Sequence, residues 1–299
     1  MKKLTFLAAM LLCIITTKAA SPVTGIEHDS PLTIQLIRSA TVKIAGRQAK
    51  ILIDPILADK GTEPPIMFAD GRKIPTIALP FSKEEALKDV DAILLTHYHP
   101  DHFDGEAERI LPRNILIFCQ PGDDIKLKEK GFVNTQVVDS SFSWKGYTIS
   151  RFLARHYPGA TGSLPFGESS SWLLQEEKNT VFITGDAILD DRMKTTLNAT
   201  HPPLIIANTG ECQFTKENPV LAPGITMTLT ATELKQITQL LPGSTIIAVH
   251  MDAINHCSLS KEALRTYVRN EKLTTRIIVP NEGETLLYPK LVRKGAAAE

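Results

Sequence analysis

The sequence predicts an α/β fold in which sheets lie buried between layers of helices. Three observations carry that reading: short β-branched apolar runs recur along the chain, a few capped helical segments alternate with them, and turn residues close the runs. The runs are Ile51-Leu52-Ile53, Ile93-Leu94-Leu95, Ile115 to Cys119, Val181-Phe182-Ile183, Leu204-Ile205-Ile206, Ile246 to Val249 and Ile277-Ile278-Val279. They are bounded by Asp, Gly, Pro or Asn and are too short for buried helices, so they read as strands. Tyr147 to Leu153 and Ser171 to Leu174 add two more candidates. Four segments read as helices. Ser82 with Glu85 makes a capping box before Ala86-Leu87, and Asp123-Asp124 opens a charged segment that stops at Gly131. Thr230 with Glu233 caps a segment running to Leu241, and Ser260 opens another through Leu264 and Val268. No repeat or linker interrupts the body, so residues 22–299 are expected to form one domain.

The composition excludes several function classes. Apolar residues make up 43% and charged residues 22%, which is the balance of a soluble globular protein and not of a disordered chain. The 33 basic side chains match 33 acidic ones, so no cationic excess exists to bind a nucleic-acid backbone, and a small-molecule substrate is the expected partner. The sequence carries no signal for an oligomeric state.

The amino terminus has the three-part layout of a secretory signal. Met1-Lys2-Lys3 is basic, Leu4 to Ile15 is an uncharged and mostly apolar run, and Thr16 to Ser21 is rich in small residues. Residues 1–21 are therefore expected to be a signal peptide, cut after Ala19 or Ser21, which predicts a periplasmic or secreted protein. The run is short of the roughly 20 apolar residues that a membrane span needs, so no stable membrane association is expected after cleavage. Of four cysteines, Cys13 lies in this segment. The remaining three, Cys119, Cys212 and Cys257, allow at most one internal disulfide, and Cys119 reads as a small buried hydrophobe.

Three stretches lack periodicity and are rich in Gly, Pro or Ser: Ala58 to Pro80, Tyr157 to Ser170 and Thr209 to Thr226. Loops longer than about 12–15 residues are uncommon in compact domains and often functional, so each is a candidate pocket rim.

One cluster carries chemistry. After the strand that ends at Leu95 the chain reads Thr96-His97-Tyr98-His99-Pro100-Asp101-His102. In an extended segment residues two apart face one side, so His97 and His99 address a common point. Pro100 turns the chain, and Asp101 and His102 then address a neighbouring point. Imidazole and carboxylate suit zinc and related divalent ions. The chain has 8 histidines in all, so their concentration here points to metal binding rather than to a surface turn. His156, Asp186 and His250 each fall at or just past the end of a predicted strand, where active sites of layered α/β folds collect. Gly185 before Asp186 allows close backbone approach. His28 and His201 read as surface or loop residues. His256 is open between orienting a ligand, donating a proton and packing. Glu211 reads as a solvated loop carboxylate, and Tyr98 and Tyr157 as packing residues.

These motifs resemble the metallo-β-lactamase superfamily of metal-dependent hydrolases. Thr96 to His102 carries the superfamily's H-x-H-x-D-H signature. Thr184-Gly185-Asp186 is similar to its bridging-aspartate motif, Ala248-Val249-His250 to its last-histidine motif, and Ile53-Asp54-Pro55 to its early aspartate-proline turn. The resemblance spans about residues 32–290 and implies an αββα sandwich. It also implies one metal held by His97, His99 and His156, a second held by Asp101, His102 and His250, and Asp186 bridging the two. The chain looks most like the group around ascorbate-phosphate lactonase and the N-acylphosphatidylethanolamine phospholipase D enzymes. It departs from that group at Ile37-Arg38-Ser39-Ala40, where a histidine often follows the first strand.

Such a site implies two divalent cations about 3.5–4 Å apart, zinc by preference with manganese or iron as alternatives, which together can hold a bridging hydroxide. Asp101 and Asp186 are the candidate catalytic carboxylates. The expected reaction is cleavage of an ester, lactone or related acyl bond, with phosphodiester hydrolysis as the alternative. True β-lactamases generally lack the bridging aspartate. A di-iron redox enzyme shares the fold but usually needs an electron carrier, and a non-catalytic metal protein is the third option. No nucleophile elbow, P-loop or dinucleotide fingerprint is present.

Overall fold

In the computed structural model, which describes residues 31–158, 167–289 and 291–293, two mixed sheets pack face to face with helices on both outer sides. In chain order the strands are β1 (Leu32–Arg38), β2 (Thr41–Ala45), β3 (Lys50–Ile53), β4 (Ala92–Leu94), β5 (Leu116–Cys119), β6 (Thr135–Val137), β7 (Ser141–Trp144) and β8 (Tyr147–Ala154). They continue with β9 (Ser169–Glu176), β10 (Asn179–Ile183), β11 (Leu204–Asn208), β12 (Thr245–Val249), β13 (Ile277–Ile278), β14 (Thr285–Tyr288) and β15 (Val292–Arg293). The helices are α1 (Lys83–Leu87), α2 (Gly105–Ile110), α3 (Asp123–Glu129), α4 (Asp191–Thr200), α5 (Ala231–Leu240) and α6 (Lys261–Asn270). One sheet has the order β15-β14-β1-β2-β3-β4-β5-β6, the other β13-β12-β11-β10-β9-β8-β7.

Side-chain alternation along the strands builds three apolar layers. Ile51 and Ile53 of β3, Leu94 of β4, Ile183 of β10 and Ile206 of β11 point into the space between the sheets, where Phe118 and Trp172 are also buried. Leu52, Ile93 and Ile117 point the other way, onto Ala86, Ala107 and Leu127 of α1, α2 and α3. Phe182, Ile205 and Ile246 do the same on the second sheet, against Leu197, Leu234, Ile237 and Leu264 of α4, α5 and α6. A strand buried on both faces reads as a continuous apolar run, which is why the central strands were visible in the sequence. The expected αββα sandwich is the observed architecture.

The helix starts follow from side-chain caps. Ser82, Thr230 and Ser260 accept hydrogen bonds from Glu85, Glu233 and Ala263 backbone N–H groups, and Thr230 with Glu233 completes a capping box. α3 stops before Gly131, whose φ of +87° closes the helix. Two helices were not anticipated. α2 and α4 start from Asp104 and Asp190, which accept from Ala107 N–H and Met193 N–H, and neither is followed by a glutamate that would complete a capping-box signature. β1 and β2 are not continuous apolar runs: Leu32, Ile34 and Leu36 alternate with Thr33 and Gln35 in β1, and Val42 and Ile44 flank Lys43 in β2.

Residues 1–30 and 159–166 lie outside the described residues, and with them the expected signal segment, His28 and much of the stretch Tyr157 to Ser170. Among the described residues no helix is long and apolar enough to cross a membrane.

At position 38, where the resemblance breaks down, the arginine is fully buried. Its guanidinium donates to Ile56 O at 2.8 Å, Ala58 O at 2.9 Å and Ile77 O at 3.1 Å. Asp104 closes the clamp from the other side by accepting from Ala58 N–H at 2.8 Å. Burial lowers the Arg38 pKa to about 10, a value that leaves it charged at neutral pH. The stretch Ala58 to Pro80 is therefore anchored at both of its ends by one side chain of β1.

Candidate metal centre

The strand directions bring the candidate residues to one edge. β3, β4 and β5 run parallel, as do β10, β11 and β12. β8 is antiparallel to β9 and β9 to β10, so β8 and β10 share a direction. Thr96 to His102 follows β4, His156 follows β8, Asp186 follows β10 and His250 follows β12. Gly185, with φ of +57°, makes the approach of Asp186 possible: a Cβ there would stand 2.4 Å from Ser170 O.

All seven residues converge. His97, His99 and His156 offer one ligand atom each within 4.8 Å of one another, and so do Asp101, His102, Asp186 and His250. Asp186 lies between the groups. Its Oδ2 is 3.2 Å from His102 Nε2 and 3.5 Å from His156 Nε2, while its Oδ1 is 3.6 Å from His250 Nε2. His102 Nε2 and His250 Nε2 stand 3.1 Å apart. Both His97 Nε2 and Asp186 Oδ2 are buried without a hydrogen-bond partner. Ring nitrogens and carboxylate oxygens thus converge in a buried space, a donor set that suits divalent cations.

The outer partners of His97, His102, His156 and His250 turn each Nε2 inward. His102 Nδ1–H donates to Asp54 Oδ2 at 2.8 Å. Thr96 spends its hydroxyl hydrogen on Asp54 Oδ2 at 2.7 Å, so at 3.0 Å it accepts from His97 Nδ1–H. His156 Nδ1–H donates to Met227 O at 3.0 Å, and Asn208 Nδ2 donates to Asp186 Oδ1 at 2.8 Å. His250 Nδ1 lies 3.4 Å from Cys257 Sγ and 3.7 Å from Cys212 Sγ, and these two cysteines form a disulfide.

The electrostatics agree with that arrangement. Burial, followed by the imidazoles of His102 and His99, pushes His97 well below its ordinary pKa, so it stays a neutral donor. Burial also acts to lower His102, but Asp186, Asp54 and Asp101 outweigh it and raise His102 well above 6.5. Burial acts to raise Asp186, yet the facing His102, His250 and His156 hold it well below 3.8. Without cations, protons on histidine balance the buried carboxylates; bound cations take over that role and release the protons.

The remaining candidates resolve individually. His256 is buried beside the cluster, with Nε2 at 3.6 Å from Asp101 Oδ2, and burial pushes its pKa down to about 4. Tyr98 packs on Phe103 and donates its hydroxyl hydrogen to Glu108. Tyr157 packs in an apolar group with Phe214, Leu221 and Met227. Glu211 corrects the sequence reading: its Oε1 accepts from Ala231 N–H at 2.9 Å, at the start of α5. Cys119 is buried and free, and burial raises its thiol pKa to about 12. Asp54 was visible in the sequence only as part of a turn motif, and Cys212 and Cys257 carried no signal of a role at the site.

A cavity of about 430 Å³ opens on the cluster and includes His99, Asp101, His156 and His256 in its lining. Much of the remaining wall comes from the predicted rim Ala58 to Pro80, with Phe214 from the rim Thr209 to Thr226 and Met227 just beyond it. A second cleft of about 640 Å³, between α6 and the end of the chain, touches none of these residues.

A buried histidine-aspartate cluster at one edge of an αββα sandwich defines a class of metal-dependent hydrolases, and comparison with known proteins identifies it. Residues 33–250 match the beta-lactamase superfamily domain, and the chain belongs to that superfamily as a metal-dependent hydrolase of metallo-β-lactamase fold. It is 30% identical over 261 residues to the UPF0173 protein YddR of Bacillus subtilis, covering 86% of this chain and 100% of that one. A possible metal-dependent hydrolase from Veillonella parvula superimposes with a TM-score of 0.78 at 26% identity, covering 86% of this chain and 98% of the other. An isothiocyanate hydrolase from Delia radicum gut bacteria gives 0.78 at 27% identity, covering 85% and 98%.

Replacing Asp54 by Ala removes the acceptor that fixes His102. Metal affinity should fall about 10–100-fold, the usual cost of losing such a partner, while far-UV circular dichroism stays that of the wild type. Competition with a chromophoric chelator measures it.

Proposed function

We propose that the chain is an exported hydrolase that holds two divalent cations and cleaves an ester, lactone or related acyl bond. The observation that carries this reading is Asp186 Oδ2, buried without a hydrogen-bond partner between two sets of inward-facing ring nitrogens. His97, His99 and His156 form one set of ligands, Asp101, His102 and His250 the other, and Asp186 bridges. Zinc suits this donor set best, with manganese or iron as alternatives. The cations supply Lewis acidity and water made acidic enough to attack near pH 7.

The chain's own residues do the rest. Asp54, Thr96, Asn208 and the Met227 carbonyl hold the ligands in place, so little reorganisation is needed when substrate arrives. Asp101 lines the cavity, with Oδ2 3.6 Å from His256 Nε2 and 3.7 Å from His250 Nε2, and is placed to accept and pass on a proton. The site acts on an electrophilic carbon, a class that includes the carbon attacked by the relative named as an isothiocyanate hydrolase.

Metal analysis of purified protein should find two equivalents per chain. The metal-loaded enzyme should hydrolyse members of a panel of aryl esters, lactones and an isothiocyanate, and should leave bis-para-nitrophenyl phosphate largely intact. His97→Ala and Asp101→Ala should each lose at least about 100-fold in kcat/KM and release metal without loss of secondary structure. Full activity and full metal content in Asp101→Ala would remove the assignment; preferential phosphodiester cleavage would replace the substrate class. Amino-terminal sequencing of protein from a secreting host should read from Ala20 or Pro22, and an intact Met1 would remove the export reading.

A further inference from the structure

Away from the cluster, the cavity wall is apolar but for Glu63. Ile66, Met67, Phe68, Phe214 and Met227 form much of the remaining wall. Among its described lining residues there is no lysine or arginine, and Glu63 supplies the one charged side chain away from the cluster. The wall is built in advance. Phe68 and Phe214 meet edge to face with ring centroids 5.7 Å apart. Phe68 adopts a φ of +62°, and its carbonyl accepts from Thr215 and Lys216 N–H at 2.9 and 3.0 Å. Asn255, the neighbour of His256, receives Ile66 N–H at 2.9 Å and donates to Ile66 O at 3.1 Å.

We propose that this cavity seats an uncharged apolar group attached to the scissile carbon, so that the enzyme takes neutral aryl-alkyl or medium-chain alkyl compounds and rejects those with a distal anion. The inference rests on the hydrolase reading above. A carboxylate or phosphate pushed past the metals would lose its hydration, meet no cation and face Glu63. An alkyl or aryl group gains from the same burial. The volume lies toward the small end of the about 300–1,000 Å³ typical of ligand pockets, which limits the group to modest size.

Two para-nitrophenyl esters of equal chain length test it: the hexanoate and the adipate monoester, which ends in a carboxylate. The metal-loaded enzyme should prefer the hexanoate by at least about tenfold in kcat/KM. Phe214→Ala should raise KM for the hexanoate several-fold with little change in kcat. Binding to the metal-free protein, followed by saturation-transfer NMR with hexanamide and adipamate, should detect the former alone. Equal binding of the two amides, or equal turnover of the two esters, overturns the proposal and leaves the hydrolase standing. Selective hexanamide binding with neither ester cleaved sustains the cavity and overturns the acyl-bond reading instead.

A different observation concerns the sulfurs behind His250. Cys212 and Cys257 pair through an isolated antiparallel bridge as well as the disulfide, and Thr228 Oγ1 accepts from Cys212 N–H at 3.0 Å. Gly210 leaves room for both: a Cβ there would fall 2.7 and 2.8 Å from the two Sγ atoms and 2.4 Å from His250 O. We infer that the disulfide positions His250, presenting sulfur lone pairs to its Nδ1–H so that Nε2 faces Asp101 and Asp186. A dithiol reductant would cleave the S–S bond, transfer two hydrogens to the sulfurs and itself become a disulfide. Two thiol hydrogens would then compete with His250 Nδ1–H.

Zinc retention against a chelator should fall about 10–100-fold in protein reduced with dithiothreitol and then freed of it without oxygen, where thiol hydrogens face Nδ1, and also in the Cys212→Ala/Cys257→Ala protein, where Nδ1–H has no sulfur to meet. The same reductant treatment should not alter the double variant further. Nitrogen-15 NMR of His250 in metal-free protein should show a change in tautomer balance on reduction, a signature that a purely structural crosslink would not give. Equal zinc retention and an unchanged His250 spectrum in the oxidised and reduced forms would overturn the inference.

Discussion

Asp186 carries an ionised carboxylate into a space that water does not reach, with its Oδ2 3.2 Å from His102 Nε2 and 3.5 Å from His156 Nε2. A charge so placed costs several kcal/mol unless something positive lies against it. His102 supplies part of that charge by holding a proton, because Asp186, Asp54 and Asp101 raise its pKa well above 6.5 against the effect of burial. The same ring loses its value as a ligand when protonated. The cluster is therefore a competition between protons and metal, and the outer contacts tip it toward metal by giving the Nδ1 atoms of His97, His102, His156 and His250 partners of their own.

The sandwich exists, from this point of view, to hold that unfavourable arrangement still. Each ligand sits one to several residues beyond the end of a strand, and β4, β10 and β12 are buried on both faces where they reach the site. The interior layer of Ile53, Leu94, Ile183 and Val249 lies directly beneath the residues that carry the ligands. Two details show how tightly the edge is packed. Gly185 admits no side chain because Ser170 O is too close, and His250 itself adopts a φ of +66°, a left-handed conformation that its neighbours must enforce.

How much of this was legible in the sequence depended on range. The H-x-H-x-D-H segment is local, so spacing alone exposed it, and His156, Asp186 and His250 could be found because each follows an apolar run. The caps at Thr230 and Ser260 are local for the same reason. Arg38 was visible only as a departure, since its partners Ile56, Ala58 and Ile77 are brought to it by the fold. Cys212 and Cys257 are 45 residues apart, and nothing in their spacing places their sulfurs against a ligand. β1 and β2 were overlooked for a simpler reason: a strand with one polar face alternates, and a search for continuous runs passes over it.

The two halves of the site have different physical origins, and this separates reaction from selection. The polar end is made by strand termini and cannot move without disturbing both sheets. The apolar wall is made by two long loops, tied down at a few points: Arg38 and Asp104 at Ala58, Asn255 at Ile66, and the backbone of residues 215 and 216 at Phe68. Side chains on such loops can change without touching a ligand, because the hydrogen bonds that fix the loops run through backbone atoms. The choice of substrate therefore rests with Ile66, Phe68 and Phe214, while the chemistry rests with the strand ends. Asn255 and His256 lie where the two meet, one binding the loop and the next facing Asp101, so the position of the wall and the geometry of the cluster are set by adjacent residues of one segment.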